Sequence, residues 1–156
     1  MFRQLLCRSK TNQQIIRSKL YDESSFYRAF EKDLKRAKKK VVIESPFMTE
    51  RRSYQLVRIF QKLKKRGVKV IVYTRSPYHH PPRLRYQAIE SIWILRDAGV
   101  KVYECRDYRH RKVAIIDKQV LWEGSLNILS QSKSRELMRR IHSPMLSKQM
   151  LHIIQR

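Results

Sequence analysis

The residues best suited to chemistry lie in one segment of the second half of the chain. His110 and Lys112 are separated by one residue, and Ser125 and Asn127 follow shortly after. A neutral imidazole can attack phosphorus, and an imidazolium can protonate a leaving oxygen. A lysine supplies a fixed positive charge for phosphoryl oxygens in the transition state, to which the hydroxyl and amide can donate hydrogen bonds. This set of side chains therefore suits in-line phosphoryl transfer, which needs little beyond positioning and charge stabilisation.

Two predicted strands around a tight turn position these side chains. Residues 112–116 and 120–122 form the strands, with the turn near Asp117. Because side chains alternate along a strand, His110 and Lys112 project from the same face. Asp117 lies at the far end of this strand from His110, so we expect it to serve the turn or an ion pair.

The remaining sequence alternates between helical and strand patterns. Helices that each end near a glycine, followed by short apolar strands, imply right-handed crossovers in an α/β layered domain. The final hairpin makes the predicted sheet mixed, and helices flank it; a site is expected in the loops beyond the carboxyl ends of the strands. The predicted elements are a helix over 24–37, a strand over 41–43, a helix over 51–66, a strand over 68–73, a loop over 74–85, a helix over 84–98, a strand over 100–105, the hairpin and a helix over 132–141.

Charge is the unusual feature of the composition. The 156 residues suit one domain, and 42% of them are hydrophobic, which argues against disorder. Lys and Arg number 36 against 13 Asp and Glu, a formal net charge of +23. Such a field attracts polyanions, so the expected partner is nucleic acid or an anionic membrane surface.

The cysteines and the hydropathy predict a reduced, cytoplasmic protein. Cys7 and Cys105 are too few and too far apart for a zinc-type pattern. No apolar run approaches the roughly 20 residues that span a bilayer. The segment 1–10 has too short an apolar stretch for a signal peptide.

The spacing of the chemical residues resembles the signature of the phospholipase D superfamily, H-x-K-x4-D-x6-G-S, continued as G-S-x-N. The likeness extends over residues 21–141, and it is greatest to the small bacterial nucleases with one motif per chain. It implies a phospholipase D-like catalytic domain at 21–141, which leaves 1–20 as a basic N-terminal arm and 142–156 as a C-terminal tail. The matching residues are His110, Lys112, Asp117, Gly124, Ser125 and Asn127.

The resemblance also implies a mechanism. The reaction needs a nucleophilic histidine and a second histidine as general acid, so one motif per chain implies an isologous homodimer with His110 of each subunit facing across the axis. One His110 forms a phosphohistidine while the other protonates the leaving oxygen and then activates water. Lys112 from both subunits supplies the charge, so no metal or other cofactor is expected. Glu136 is expected to orient His110, as a glutamate does at the similar place in these nucleases.

Basic residues around the histidine are expected to hold a nucleic-acid backbone. Arg106, Arg109 and Arg111 surround it in sequence, and Arg75 follows the predicted strand 68–73. Because Arg75 follows a predicted strand, we expect it beside these arginines where the strands of the sheet end. Such phosphate contacts predict a steep loss of affinity with salt. Glu44, after the first strand, either borders the pocket or simply ends the strand.

Other noticeable residues are predicted to be structural. His79 and His80 lie in a proline-rich segment; they could contact substrate, but we expect solvated loop residues. Cys105 is expected to be a buried thiol at a strand end. Trp93 and Trp122 could stack on bases, but both lie in elements predicted to pack, so we expect them in the core.

Two other functions remain open. A phospholipid phosphodiesterase of the cardiolipin type would carry the same motif, although the sequence shows no membrane anchor and few apolar loops for acyl chains. A non-catalytic nucleic-acid-binding module could retain the fold, although the intact His110, Lys112, Ser125 and Asn127 argue against it. The sequence leaves open DNA against RNA and single against double strands.

Overall fold

The computed structural model describes residues 17–130 and 134–156. Residues 1–16, which include Cys7 and most of the predicted arm, lie outside this part of the chain. The described elements are β1 (Arg17–Asp22), α1 (Phe26–Arg36), β2 (Lys40–Glu44), α2 (Glu50–Lys65), β3 (Lys69–Arg75), a 3-10 turn (Pro77–His79), α3 (Pro82–Asp97), β4 (Lys101–Cys105), β5 (Lys112–Ile116), β6 (Val120–Gly124), β7 (Leu137–His142) and α4 (Pro144–Ile154).

The strands form one mixed sheet in the order β1-β7-β6-β5-β2-β3-β4. Strands β2, β3 and β4 are parallel, whereas β5, β6, β7 and β1 each run antiparallel to their neighbours. The ends of β2, β3, β4 and β6 therefore meet the starts of β5 and β7 at one edge, which we call the upper edge. The predicted mixed α/β sheet flanked by helices is confirmed.

Helices cover the two faces of the sheet unequally. Helices α1, α2 and α3 pack on one face; α1 buries Phe26, Phe30 and Leu34 and turns its basic side outward. Helix α4 packs on the opposite face, where Leu151 and Ile154 join the smaller of two apolar clusters. Apolar residues at helical spacing explain both contacts, because each helix presents one stripe to the sheet.

The two tryptophans differ in environment. Trp122, on β6, is fully buried, and its indole nitrogen donates a hydrogen bond to Asp33 Oδ2 at 3.0 Å. The prediction of a core residue is confirmed for Trp122 and wrong for Trp93, which is 65% exposed. Trp93 follows buried Ile92 directly, and a step of one residue along a helix turns the side chain away from the packed stripe.

The predicted helix over 132–141 is wrong, because Leu137–His142 is strand β7. This strand lies between β6 and β1, and its backbone pairs with both neighbours. Residues such as Leu, Met and Arg favour helices in isolation, but pairing within a sheet overrides such propensity. Residues 132 and 133 lie outside the described part.

The segments at both ends of the described chain are ordered elements. Residues 17–20, in the predicted arm, belong to the edge strand β1, which pairs with β7. Residues 144–154, in the predicted tail, form α4, whose cap Ser143 accepts a hydrogen bond from the amide of Leu146 at 3.2 Å.

The turns and caps agree closely with the sequence. Gly67 and Gly99, the glycines that follow α2 and α3, have φ of 74° and 86°, in the left-handed region. Asp117 and Lys118 form the hairpin turn, with φ of 55° and 56°. The predicted loop over 74–85 is shorter than expected, since β3 continues to Arg75 and α3 begins at Pro82.

Candidate active site

The topology brings the chemical residues together at the upper edge. His110 lies near the end of the loop between β4 and β5, two residues before β5, and its side chain is exposed. Lys112 begins β5 and lies opposite Gly124, which in turn lies opposite Met138 on β7. Residues that are distant in the sequence thus become neighbours across β5, β6 and β7, and Ser125 directly follows Gly124.

His110 and Lys112 form the centre of the site. The Lys112 ammonium donates a hydrogen bond to the backbone carbonyl of His110 at 2.8 Å. Partial burial lowers the pKa of His110, and the positive charges of Lys112 and Arg75 lower it further. A lowered pKa leaves the imidazole neutral near pH 7, the form that can act as a nucleophile.

Glu136 lies close enough to Lys112 to act on its charge. Burial lowers the pKa of Lys112; the carboxylate of Glu136 opposes this shift, and the charge of Arg75 adds to it. The backbone amide of Glu136, just before β7, donates to Glu23 Oε2 at 3.2 Å. Within the described residues no hydrogen bond joins Glu136 to His110, and the charge of Glu136 acts on Lys112.

Gly124 and Ser125 join the site to β7. The Ser125 amide donates to the carbonyl of Leu137 at 2.9 Å, and the Leu137 amide donates to Ser125 Oγ at 3.1 Å. A Cβ on Gly124 would lie 2.1 Å from the Leu137 carbonyl oxygen and 2.8 Å from Met138 Cα. Glycine is required at this point because no side chain fits between the strands.

The loop after Ser125 is anchored from beneath by a buried arginine. Arg52, which is 1% exposed, donates from Nε to the carbonyl of Ile128 at 3.3 Å and pairs with Glu31 at 2.8 Å. Asn127 lies in this loop, and its Oδ1 is buried without a hydrogen-bond partner among the described residues. Sequence reasoning missed Arg52, since one arginine in a basic stretch gives no sign of burial.

Asp117 lies at the opposite end of β5 from His110. Its carboxylate accepts hydrogen bonds from three successive amides, those of Lys38, Lys39 and Lys40, at 2.7–2.9 Å. Burial alone would raise the pKa of Asp117, but these amides outweigh it and hold the pKa below its ordinary value. The structure thus places Asp117 in a contact between the hairpin turn and the start of β2.

Arg75 stands beside the histidine between two aromatic rings. Its guanidinium carbon lies 5.6 Å from the Phe47 ring centroid and 5.9 Å from that of Tyr108. One amino group donates to the carbonyls of Tyr108 and Arg109, at 3.3 and 3.1 Å. No carboxylate of the described residues pairs with Arg75, so its charge acts on the site.

Arg109 and Arg111 are engaged with buried acid. Glu44, fully buried at the end of β2, pairs with Arg111 at 3.0 Å and with Arg109 at 3.6 Å. Arg109, whose side chain is 8% exposed, also binds both oxygens of Asp107 at 2.7 Å. These two arginines, predicted to contact nucleic acid, form ion pairs that hold the loop, so less of their charge is available to a ligand. Arg106, the third predicted contact in this loop, is exposed.

Several aromatic rings lie near His110 that the sequence did not place at the site. Phe47 lies edge-on to His110 with centroids 6.1 Å apart and also contacts His80 at 5.0 Å. The prediction that His80 is solvated is wrong: it is buried, and burial, together with the charge of Arg75, lowers its pKa. Half-buried His79 stacks on Tyr108. The position of Phe47 just after a strand end was the one available signal.

Cys105 and the acidic residues show no sign of a metal site. Cys105 ends β4 and is half-buried, and burial raises the pKa of its thiol. In the described ranges no three His, Cys, Asp or Glu side chains are grouped so that they could hold a metal ion.

The fold and the motif together define a phospholipase D-like domain. The family described as "Cardiolipin synthase, PLD-like domain" matches residues 30–156, and the chain belongs to this family. The resemblance to the phospholipase D superfamily is thereby confirmed. The mitochondrial cardiolipin hydrolase of Mus musculus is 42% identical over 84 residues, which cover 51% of this chain and 34% of that protein. The chain thus matches about a third of that curated relative.

Solved structures share the fold. The phospholipase D family member Nuc from Salmonella typhimurium superposes with a TM-score of 0.74 at 19% identity, over 90% of this chain and 92% of that one. NucT from Helicobacter pylori gives a TM-score of 0.68 at 17% identity, over 90% and 94% of the two chains. At such low identity these likenesses establish the fold alone.

Proposed function

We propose that this protein is a phosphodiesterase that hydrolyses the backbone of DNA or RNA without a metal ion. The observation that carries the proposal is that the exposed His110 lies beside Lys112 at the upper edge, with the Lys112 ammonium bonded to the backbone carbonyl of His110. A net charge of +23 favours a polyanionic substrate, and Arg75 and Arg106 are the cations best placed to bind its phosphates.

The reaction proceeds in two displacements. A ring nitrogen of His110 attacks phosphorus and forms a P–N bond, while the P–O bond to the leaving group breaks. A second His110, from a partner copy and in its imidazolium form, protonates the leaving oxygen; the imidazole that this leaves then removes a proton from the water that cleaves the P–N bond. Lys112 neutralises the charge on the phosphoryl oxygens, and Ser125 and Asn127 donate hydrogen bonds to them. The carboxylate of Glu136 helps to keep Lys112 protonated.

A homodimer supplies the second histidine. The exposed His110 can meet its counterpart across a two-fold axis, since an isologous interface brings equivalent residues together. Subunit mixing tests this arrangement. If each site needs both histidines, activity falls with the square of the wild-type fraction when His110→Ala subunits are mixed in and allowed to exchange. A linear fall, or a monomer in analytical ultracentrifugation of the active enzyme, rejects the shared site.

The activity itself is tested with plasmid and single-stranded substrates in EDTA. We expect cleavage to persist in EDTA and to disappear in His110→Ala, with a phosphohistidine trapped without acid in the wild type. The exposed His142→Ala serves as a matched control, because it removes a histidine from the opposite end of β7. Loss of cleavage in EDTA, or cleavage by His110→Ala, refutes the mechanism.

A phospholipid phosphodiesterase is the second candidate, favoured by the 42% identity to a mitochondrial cardiolipin hydrolase. The described part of the chain contains no helix with the length and apolar character needed to cross a bilayer. Assaying cardiolipin vesicles beside nucleic acid, with the same His110→Ala control, separates the two substrates. Hydrolysis of vesicles with no cleavage of nucleic acid replaces the first proposal with the second.

A further inference from the structure

Tyr108 is an exposed aromatic ring beside the active site that the proposed reaction does not use. Its side chain is 79% exposed, and one face stacks on His79, with centroids 5.2 Å apart and ring planes 19° apart. We propose that Tyr108, backed by His79, is a stacking platform for an unpaired base of a single-stranded polynucleotide bound at His110. This inference rests on the proposed nuclease function and specifies its substrate.

The platform is held in place by its own loop. The Arg75 guanidinium donates to the backbone carbonyls of Tyr108 and Arg109, and Arg109 binds Asp107 through two hydrogen bonds of 2.7 Å. The backbone that carries the ring is therefore held before ligand arrives, and His79 supports one face of the ring. A preorganised aromatic side chain loses little conformational entropy on binding, so more of the stacking free energy appears as affinity.

The platform and the reacting imidazole belong to one continuous wall. Arg75 lies against the rings of both Tyr108 and Phe47, and Phe47 contacts His110 edge-on with centroids 6.1 Å apart. Tyr108 is also two residues from His110 in the chain. A phosphate held at His110 and Lys112 thus places a neighbouring nucleotide beside the tyrosine.

The chemistry of the ring selects an unpaired base. The net charge of +23 attracts single and double strands alike, so strand selection requires a group that acts on something besides phosphate. Aromatic side chains stack on exposed base faces with little regard to sequence. In a duplex those faces are already stacked, and a phospholipid headgroup offers no planar ring.

Binding is measured in the His110→Ala background, so that the substrate stays intact. The probes are a labelled single-stranded oligonucleotide, its duplex and an abasic oligomer of the same length, each followed by fluorescence anisotropy. We expect Tyr108→Ala to weaken binding of the single strand about 5- to 100-fold, and to leave the duplex and abasic oligomer within about twofold. Tyr108→Trp should retain affinity. Trp93→Ala is the matched control, because it removes another largely exposed ring, from α3.

Each other outcome overturns the inference in a recognisable way. If Tyr108→Ala binds the single strand as tightly as the parent protein, the stacking proposal is rejected. An equal loss of affinity for all three probes also rejects it, because such a loss indicates a distorted loop. If the enzyme with His110 intact cleaves nucleic acid and only the Tyr108 result fails, the nuclease proposal stands alone. If it cleaves cardiolipin vesicles and no polynucleotide, both proposals fall.

Discussion

The fully buried carboxylate of Glu44 accepts hydrogen bonds from both Nε and Nη2 of Arg111, at 3.0 and 3.2 Å. Glu44 ends β2 and Arg111 directly follows His110, so this pair joins β2 to the loop that carries the imidazole. The nearest further cation, Arg109 Nη1, is 3.6 Å from Glu44. The loop that carries the imidazole therefore depends on a fully buried acid.

Arg111→Ala should lower the free energy of unfolding by about 3 kcal/mol, because it leaves a buried carboxylate poorly paired. In a Glu44→Gln background the same substitution should cost much less, since the buried charge is gone. Urea denaturation of the four proteins measures the difference. Arg139→Ala, which breaks a more exposed pair with Glu123, is the control and should cost under about 1 kcal/mol. Equal costs of Arg111→Ala in both backgrounds would contradict the pairing.

The pKa of His110 should respond to the charge of Arg75. Burial and the charges of Lys112 and Arg75 lower the pKa below its ordinary value of 6.5. Arg75→Met should raise it, whereas Arg75→Lys, which retains the charge, should change it less. Titration of the ring by NMR, assigned by the signal missing in His110→Gln, measures the shift.

The same shift should appear in the kinetics. Because the nucleophile must be neutral, activity falls as pH falls through this pKa, so Arg75→Met should move the acid limb of the pH–rate profile to higher pH. An acid limb that does not follow the NMR titration would show that another group controls the rate.

Much of the site was predictable because its signals are local. Lys112 and Gly124 lie in one hairpin and His110 lies two residues before it; the strands and turn of this hairpin follow from alternation and from a turn at Asp117. The central strands and helices were equally clear, since each buries one apolar stripe. These elements were predictable because each depends on residues that are close together in the sequence.

The remaining features depend on contacts between distant segments. Strand β7 exists because β1 and β6 pair with it, and its residues alone favour a helix. The burial of Arg52 depends on Glu31 and on the carbonyl of Ile128, and Glu44 is paired across 67 residues with Arg111. A single sequence does not show such partners, so charged residues in the core are mistaken for surface residues.

Asp117→Asn should destabilise the fold in a pH-dependent way. The three amides at Lys38–Lys40 hold the pKa of Asp117 below its ordinary value of 3.8. A depressed pKa contributes stability that is present above the unfolded value and is lost as pH falls through the folded one. Asp117→Asn should therefore cost about 1–3 kcal/mol at pH 7 and less below about pH 4. Urea denaturation at both pH values measures this. If Asp117→Asn lost the same unfolding free energy at both pH values, the effect would come from altered geometry and not from the carboxylate charge. Because Asp117 lies at the opposite end of β5 from His110, kcat should remain near wild type.

Gly124→Ala should damage the fold and the site together. The added Cβ would meet backbone atoms of Leu137 and Met138, which do not rotate away, so β6 and β7 must separate. We expect a loss of about 3 kcal/mol in unfolding free energy and a fall in kcat, because Ser125 moves with the strand. Gly67→Ala is the control: its φ of 74° carries a backbone cost of about 1 kcal/mol, but its Cβ meets open space, and it follows α2 far from the upper edge. If the two variants lose stability equally and both keep wild-type kcat, the close approach of β6 and β7 does not position Ser125.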